Sequence, residues 1–250
     1  MKNAFTAVLL AATAATASLI AIAPSAAQET PVEVQQPAAL SRIDPERAVL
    51  VLVDFTDGLF PIVDTIGIEE MLNNAVATAK IAQTFDIPIM ILGDEGGFYG
   101  QMHPAIKDFA PSDMQFPRTT PSAWQSGGFR EALEATGRTQ IIIGGITTDS
   151  CTSLTSLDLL REGYEVFVVA DISGADSELA EQAALMRLRD AGAVTVGWSM
   201  LGSELLSDWE TPEGEALATI YGRHLNGPNT SVYGSSVNDT TIGADQEGGN

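Results

Sequence analysis

Cysteine and histidine are nearly missing from this chain. It has one cysteine and two histidines in 250 residues. A single thiol forms no internal disulfide. His103 and His224 are too few for a histidine-rich zinc site, and no Asp-x-His ligand pair occurs, so no metal is expected. Basic residues are scarce as well: 12 Lys and Arg stand against 33 Asp and Glu, a formal charge of −21. Such a surface repels nucleic acid and anionic lipid, and neither is an expected partner. No Gly-x-Ser-x-Gly elbow is present, which removes the α/β-hydrolase serine nucleophile. Gly144-Gly145 lacks the rest of a Gly-x-Gly-x-x-Gly fingerprint, so no dinucleotide or other cofactor is expected.

Only one long apolar run occurs, and it lies at the N-terminus. Lys2 precedes an alanine- and leucine-rich stretch, Phe5 to Ile22, and Ser25-Ala26-Ala27 fits small-x-small cleavage. The run is diluted by alanine and falls short of the ~20 strongly apolar residues of a spanning helix. Residues 1–27 are therefore expected to be a signal peptide, giving a periplasmic or secreted bacterial protein with no membrane attachment after cleavage. Residues 28–46 are polar and proline-bearing and predict a leader. Residues 226–250 are rich in Gly, Ser, Asn and Thr and predict a disordered tail. The folded domain is expected over 47–225.

Within that domain, short apolar runs alternate with amphipathic stretches. Ala48 to Asp54 is continuous and apolar, as in a strand covered on both faces. Strands are also predicted at Ile87–Leu92, Gln140–Ile146, Glu165–Asp171 and Ala193–Trp198, with a short edge strand near Met114–Phe116. Helices are predicted over Ile68–Phe85, His103–Phe109, Asp149–Arg161 and Glu178–Ala191. The alternation means an α/β fold with a doubly wound, parallel, six-stranded sheet in order 3-2-1-4-5-6.

That order brings two chemical residues together. Asp54 ends the first strand, and Cys151 follows the fourth in Gly144-Gly-Ile-Thr-Thr-Asp-Ser-Cys151. Ligands bind at the crevice between those strand ends. A thiol in the first helical turn also meets free N–H groups that favour its thiolate. Asp54 is a candidate general base, although an aspartate there also caps turns. Arg118, in a proline-flanked loop, is the leading candidate cation, with Lys107 as its rival. Trp124, Phe55 and Phe98 are candidate pocket walls, each equally suited to core or lid packing.

With these residues in place, the chain resembles the isochorismatase-like cysteine hydrolases, nearest to their YcaC-like subgroup. The resemblance spans about 47–225. It rests on Val51-Leu-Val-Asp54 with Asp57-Gly58-Leu59, on Arg118 with Ser122-Ala-Trp124, on Gly144-Gly-Ile-Thr-Thr-Asp-Ser-Cys151, and on Glu162-Gly-Tyr-Glu-Val-Phe-Val-Val-Ala-Asp171 with the later Gly197-Trp198. It implies a Rossmann-like three-layer α/β/α fold and an Asp-Lys-Cys triad, with the aspartate at Asp54 and the nucleophile at Cys151. The family lysine falls at Arg118, a departure, because arginine stays charged and cannot shuttle a proton. The resemblance also implies a cis peptide at Ile146–Thr147 that turns the N–H groups of Thr147 and Cys151 into an oxyanion hole. Family nicotinamidases add an Asp/His metal site whose histidines are missing here, which argues against nicotinamide. The implied activity is hydrolysis of a small C–N bond, amide or similar, through a covalent cysteine intermediate, in a homo-oligomer acting on a small molecule. Two alternatives stay open: a reactive-thiol or redox-sensing protein without turnover, and a periplasmic binding module on the same fold.

Overall fold

The computed structural model describes residues 40–93, 96–97 and 99–225. The expected signal peptide, most of the expected leader, Phe98 and the expected tail lie outside them. The centre of the fold is β1 (Ala48–Val53), six residues buried on both faces. Its alternation divides them. Ala48, Leu50 and Leu52 enter one apolar cluster, and Val49, Val51 and Val53 enter a second on the opposite face. A strand reads as continuously apolar only when both faces are covered.

Five further strands complete the sheet: β2 (Ile89–Leu92), β3 (Gln115–Phe116), β4 (Gln140–Gly145), β5 (Glu165–Val169) and β6 (Val194–Val196). Every pairing is parallel, and the order is β3-β2-β1-β4-β5-β6. This is the expected doubly wound arrangement. β1 lies between β2 and β4, with Val53 opposite both Leu92 and Gly145.

Helices cover both faces. On one side lie α1 (Ile68–Thr84), α2 (Pro104–Lys107), α6 (Trp198–Leu205) and α7 (Pro212–His224). On the other lie α3 (Gly127–Ala135), α4 (Ser153–Arg161) and α5 (Glu178–Asp190). The connections 1-2-3 therefore run over one face and 4-5-6 over the other, so the crevice opens between the C-terminal ends of β1 and β4. No helix among the described residues is long and apolar enough to cross a membrane.

Several predicted bounds shift, for local reasons. Ala170–Ile172 leaves the β5 line as a single 3₁₀ turn, and Trp198 opens α6 instead of closing β6. The helix expected from Asp149 begins as a π turn, Thr148–Thr152, and becomes α-helical at Ser153. The folded region also starts before residue 47. Ile43 is buried in the core, and the buried Gln140 side chain accepts from the Asp44 N–H at 2.7 Å and donates to the Arg42 carbonyl at 3.0 Å. A buried amide must be satisfied, and here the expected leader satisfies it.

Candidate active site

Asp54 follows the last residue of β1. Its N–H still bonds to Leu92 O at 2.7 Å, but its φ is +56°, so the chain leaves the sheet there. Aspartate tolerates this left-handed conformation better than most residues. The side chain is buried. Gly93 keeps space beside it: a β-carbon at 93 would lie 2.6 Å from Met102 Cε and 3.6 Å from Asp54 Oδ1.

Arg118 supplies the cation. It sits two residues beyond β3, which is tied to β2 by a Gly93 N–H bond to Phe116 O. Its Nη2 forms an ion pair with Asp54 Oδ2, and both side chains are about 95% buried. Its Nη1 donates to the carbonyls of Thr120 and Pro121. Its Nε is buried with no partner among the described residues. Removing either member of such a buried pair strands the other charge, which is strongly destabilising. The loop carrying Arg118 is clamped to α4. Ser122 Oγ donates to Asp158 Oδ2 at 2.7 Å, and the Ala123 N–H donates to Thr155 Oγ1 at 3.0 Å.

The third segment is the turn after β4. Gly145 has φ +141°, and a β-carbon there would fall 1.9 Å from Val53 O, so the close β1–β4 approach requires glycine. The peptide Ile146–Thr147 is cis, at the expected position. Ser150 and Thr152 donate their N–H groups to Thr147 O at 3.3 and 3.2 Å; the Cys151 N–H between them does not. The Thr147 N–H has no acceptor among the described residues. Cys151 is half-buried and, like Phe116, packs on the cluster that holds Val53 and Leu157. Neighbouring elements hold the turn in place. The Thr148 N–H donates to Gly174 O at 2.9 Å, Thr148 Oγ1 donates to Glu181 Oε1 at 2.9 Å, and the Gly145 N–H donates to Ser173 Oγ at 3.1 Å. Sequence reasoning did not find Glu181 or Ser173, since only packing reveals their contacts.

Asp54, Arg118, Thr147 and Cys151 thus follow β1, β3 and β4 at one sheet edge, with Asp54 and Arg118 in direct contact. Two of the three expected pocket walls, Phe55 and Trp124, do not line the cavity beside Arg118, and Phe98 lies outside the described residues. Phe55 is fully buried in the core cluster on the face covered by α1, α2, α6 and α7. Trp124 points the other way. It meets Tyr164 edge-on at 5.8 Å and lines a groove of about 310 Å³ with Arg138, Thr139 and Gly163, at the N-terminal ends of β4 and β5. The cavity beside Arg118 is polar instead: about 230 Å³, lined by Pro117, Thr119, Thr120, Gln125 and Ser126. His103 caps α2, accepting from the Ala105 N–H, and burial lowers its pKa against the opposing pull of Asp57. No group of three or more His, Cys, Asp or Glu able to hold a metal occurs among the described residues.

The sheet carries an aspartate after β1, a buried cation after β3 and a cysteine turn after β4. The chain is an isochorismatase-family hydrolase: residues 48–200 match the isochorismatase domain. It is 34% identical over 186 residues to the "Probable hydrolase YcaC" of Escherichia coli, covering 74% of this chain and 89% of that one. The crystal structure of Pseudomonas aeruginosa YcaC, with hexane-2,5-diol and covalent acrylamide, aligns with a TM-score of 0.72 at 35% identity, over 75% of this chain and 93% of that one. Escherichia coli YcaC, an octameric hydrolase of unknown specificity, aligns with a TM-score of 0.71 at 33% identity, over 74% and 91% of the two chains.

Proposed function

We propose that this protein hydrolyses a C–N bond, of the amide type, in a small substrate through a covalent intermediate on Cys151. The buried Asp54–Arg118 ion pair, at the same sheet edge as the chain's single thiol, carries this proposal. Asp54 is the general base and takes the Sγ proton. The sulfur attacks the carbonyl carbon, and the carbonyl π electrons move to oxygen. The N–H groups of Thr147 and Cys151 hold that oxyanion, each donor contributing about 3 kcal/mol by analogy with other such sites. Collapse expels the amine, which takes the proton from Asp54. Water, deprotonated by Asp54, then cleaves the thioester and releases the acid and the free thiol. Arg118 transfers no proton and orients the Asp54 carboxylate through their ion pair.

The Pseudomonas relative holds covalent acrylamide, a reagent that adds to thiols. Cys151 is this chain's one thiol, so acrylamide is a natural first probe of it. The octameric Escherichia coli relative supports a homo-oligomer here as well. Exposed Leu179 and Met186, seven residues apart on α5, offer apolar surface for one. The N-terminal signal directs the mature protein to the periplasm or beyond the cell.

The test is a screen of small primary amides with the mature protein, paired with Cys151→Ala and with mass spectrometry of the quenched enzyme. Turnover with an acyl adduct on Cys151, lost in the variant, supports hydrolysis. Ligand retention without turnover, indifferent to Cys151→Ala, would make the protein a binding module. Oxidation of Cys151 with no acyl adduct on any amide would make it a redox thiol.

A further inference from the structure

Ser122-Ala-Trp124 belongs to the sequence pattern of the site, but the proposed chemistry uses none of its side chains. Its place in the fold gives it a task. Residues 117–122 lie between β3 and the single turn Ala123–Gln125 and belong to neither strand nor helix. No ladder fixes such a loop, so side-chain contacts must. Those contacts lead to α4. Ser122 is buried and its Oγ donates to Asp158 Oδ2 at 2.7 Å; one residue on, the Ala123 N–H donates to the buried Thr155 Oγ1 at 3.0 Å. Thr155 and Asp158 are three residues apart and share one face of α4. The same helix continues directly from the turn Thr148–Thr152 that carries Cys151.

From this anchor the hydrogen bonds run on to the ion pair. Ser122 O accepts from Thr120 Oγ1 at 2.7 Å, the carbonyls of Thr120 and Pro121 accept from Arg118 Nη1, and Arg118 Nη2 meets Asp54 Oδ2. A guanidinium is a planar fork, so gripping one nitrogen fixes the direction in which the other points. A lysine, the residue the resemblance implies at this position, is a single ammonium on a flexible stem and offers no such grip. We propose that the Ser122–Asp158 hydrogen bond is a positioning device for the reaction. Through Thr120 it sets the plane of the Arg118 guanidinium, and through α4 it ties the Asp54–Arg118 pair to the helix that begins at Cys151. Ser122 and Asp158 are positioning residues, acting through Arg118. The inference rests on the cysteine-hydrolase function proposed above and adds the residues that hold its charged pair in place. Asp158 Oδ1 also pairs with Arg161, but that side chain is largely exposed and the outer pair contributes little. The acceptor oxygen facing Ser122 is what the device needs.

Alkylation by iodoacetamide reads the device, since Cys151 is the only thiol. The sulfur displaces iodide, one S–C bond forms, and the Sγ proton passes to Asp54. Rates are measured at pH 7 on the mature protein and on variants whose circular dichroism shows them folded. Asp54→Asn is expected to slow the reaction tenfold or more. Ser122→Ala and Asp158→Ala should each slow it about fivefold, the effect of one lost hydrogen bond. Asp158→Asn keeps an acceptor for Ser122 and should stay within about twofold of the unmodified protein. Ser122→Ala added to Asp54→Asn should slow it no further, because residues that act through one another are not additive. A bond that serves folding alone leaves the rates of folded Ser122→Ala and Asp158→Ala unchanged, and that result would overturn the proposal. So would an equal loss in Asp158→Asn, or a Ser122→Ala loss that adds in full to that of Asp54→Asn. Each of these leaves the hydrolase intact, provided Asp54→Asn slows labelling. A Cys151 inert in the unmodified protein, or indifferent to Asp54→Asn, would bring down the hydrolase assignment, and the positioning with it.

Discussion

Two buried polar clusters in this molecule resemble each other in size and differ in purpose. At the sheet edge, Asp54 and Arg118 form a charged pair with one orphan donor beside a cavity. In the helical layer, His224 Nδ1 bonds to Asn73 Oδ1 at 2.8 Å, Asn73 Nδ2 donates to His224 O at 3.0 Å, and Asn74 Nδ2 donates to Asp171 O at 2.9 Å. This second cluster also has an orphan, His224 Nε2, but the imidazole packs edge-on to Trp198 with ring centroids 6.4 Å apart. Burial, together with the like charges of Lys80 and Arg223, lowers the His224 pKa to about 4, so the ring is neutral at pH 7. The helical cluster is thus a neutral clasp between α1 and α7. The edge cluster keeps full charges, and its arginine forms part of the wall of a cavity. The two differ in charge, and the charged cluster is the one at the sheet edge that carries Cys151.

Substitutions can break this contrast. Cys151→Ala is expected to have the largest effect: amide turnover falls by at least a thousandfold and no acyl adduct forms, while the far-ultraviolet circular dichroism is unchanged. Asp54→Asn should lower turnover by roughly 10²- to 10⁴-fold. It should also cost about 3–5 kcal/mol in chemical denaturation, because it strands the buried Arg118 charge. If Asp54→Asn leaves stability intact, the edge pair is no more than a surface-like contact and the comparison fails.

Acid should loosen the helical clasp. His224 is a base held below its ordinary pKa, so between about pH 6.5 and 4 the unfolded chain takes up the proton first. Its stabilisation is complete above pH 6.5, declines as the pH falls, and levels off below about 4, a total of roughly 2–3 kcal/mol. Denaturation at pH 7 and pH 4.5 should show a shallower loss for His224→Gln than for the unmodified chain. The smallest expected effect is that of Thr148→Val. It removes the hydrogen bond to Glu181 at 2.9 Å and should cost about 1 kcal/mol, with a severalfold fall in kcat if the cysteine turn relaxes.

The sheet was legible because β1 and β4 are buried on both faces, so their apolar runs are unbroken and carry turn residues at their ends. α7 was missed although Thr211-Pro212 is a helix-start signal: the Thr211 side chain accepts from the Gly214 N–H at 3.1 Å. Its large apolar residues are few, Leu217, Ile220 and Tyr221, and it is stabilised by docking on α1. Asp54, Arg118 and Cys151 stood out by residue type at strand ends. For Phe55 and Trp124 the sequence left pocket wall and core or lid packing equally open, since residue type does not reveal which way a ring points. The core took Phe55, and the groove at the opposite sheet edge took Trp124.

Local chemistry alone determined the alternating α/β class, the glycine turn before the thiol and the acidic composition. All of these follow from periodicity, conformational freedom and charge, which each short segment carries in itself. Only the tertiary structure decided that Arg118 meets Asp54, that one guanidinium donor is left over, and that the neighbouring cavity is polar rather than aromatic. Those outcomes depend on contacts such as that between residues 54 and 118, which lie far apart in the chain. Such contacts are settled when two helical layers pack on one sheet and every buried polar atom competes for a partner.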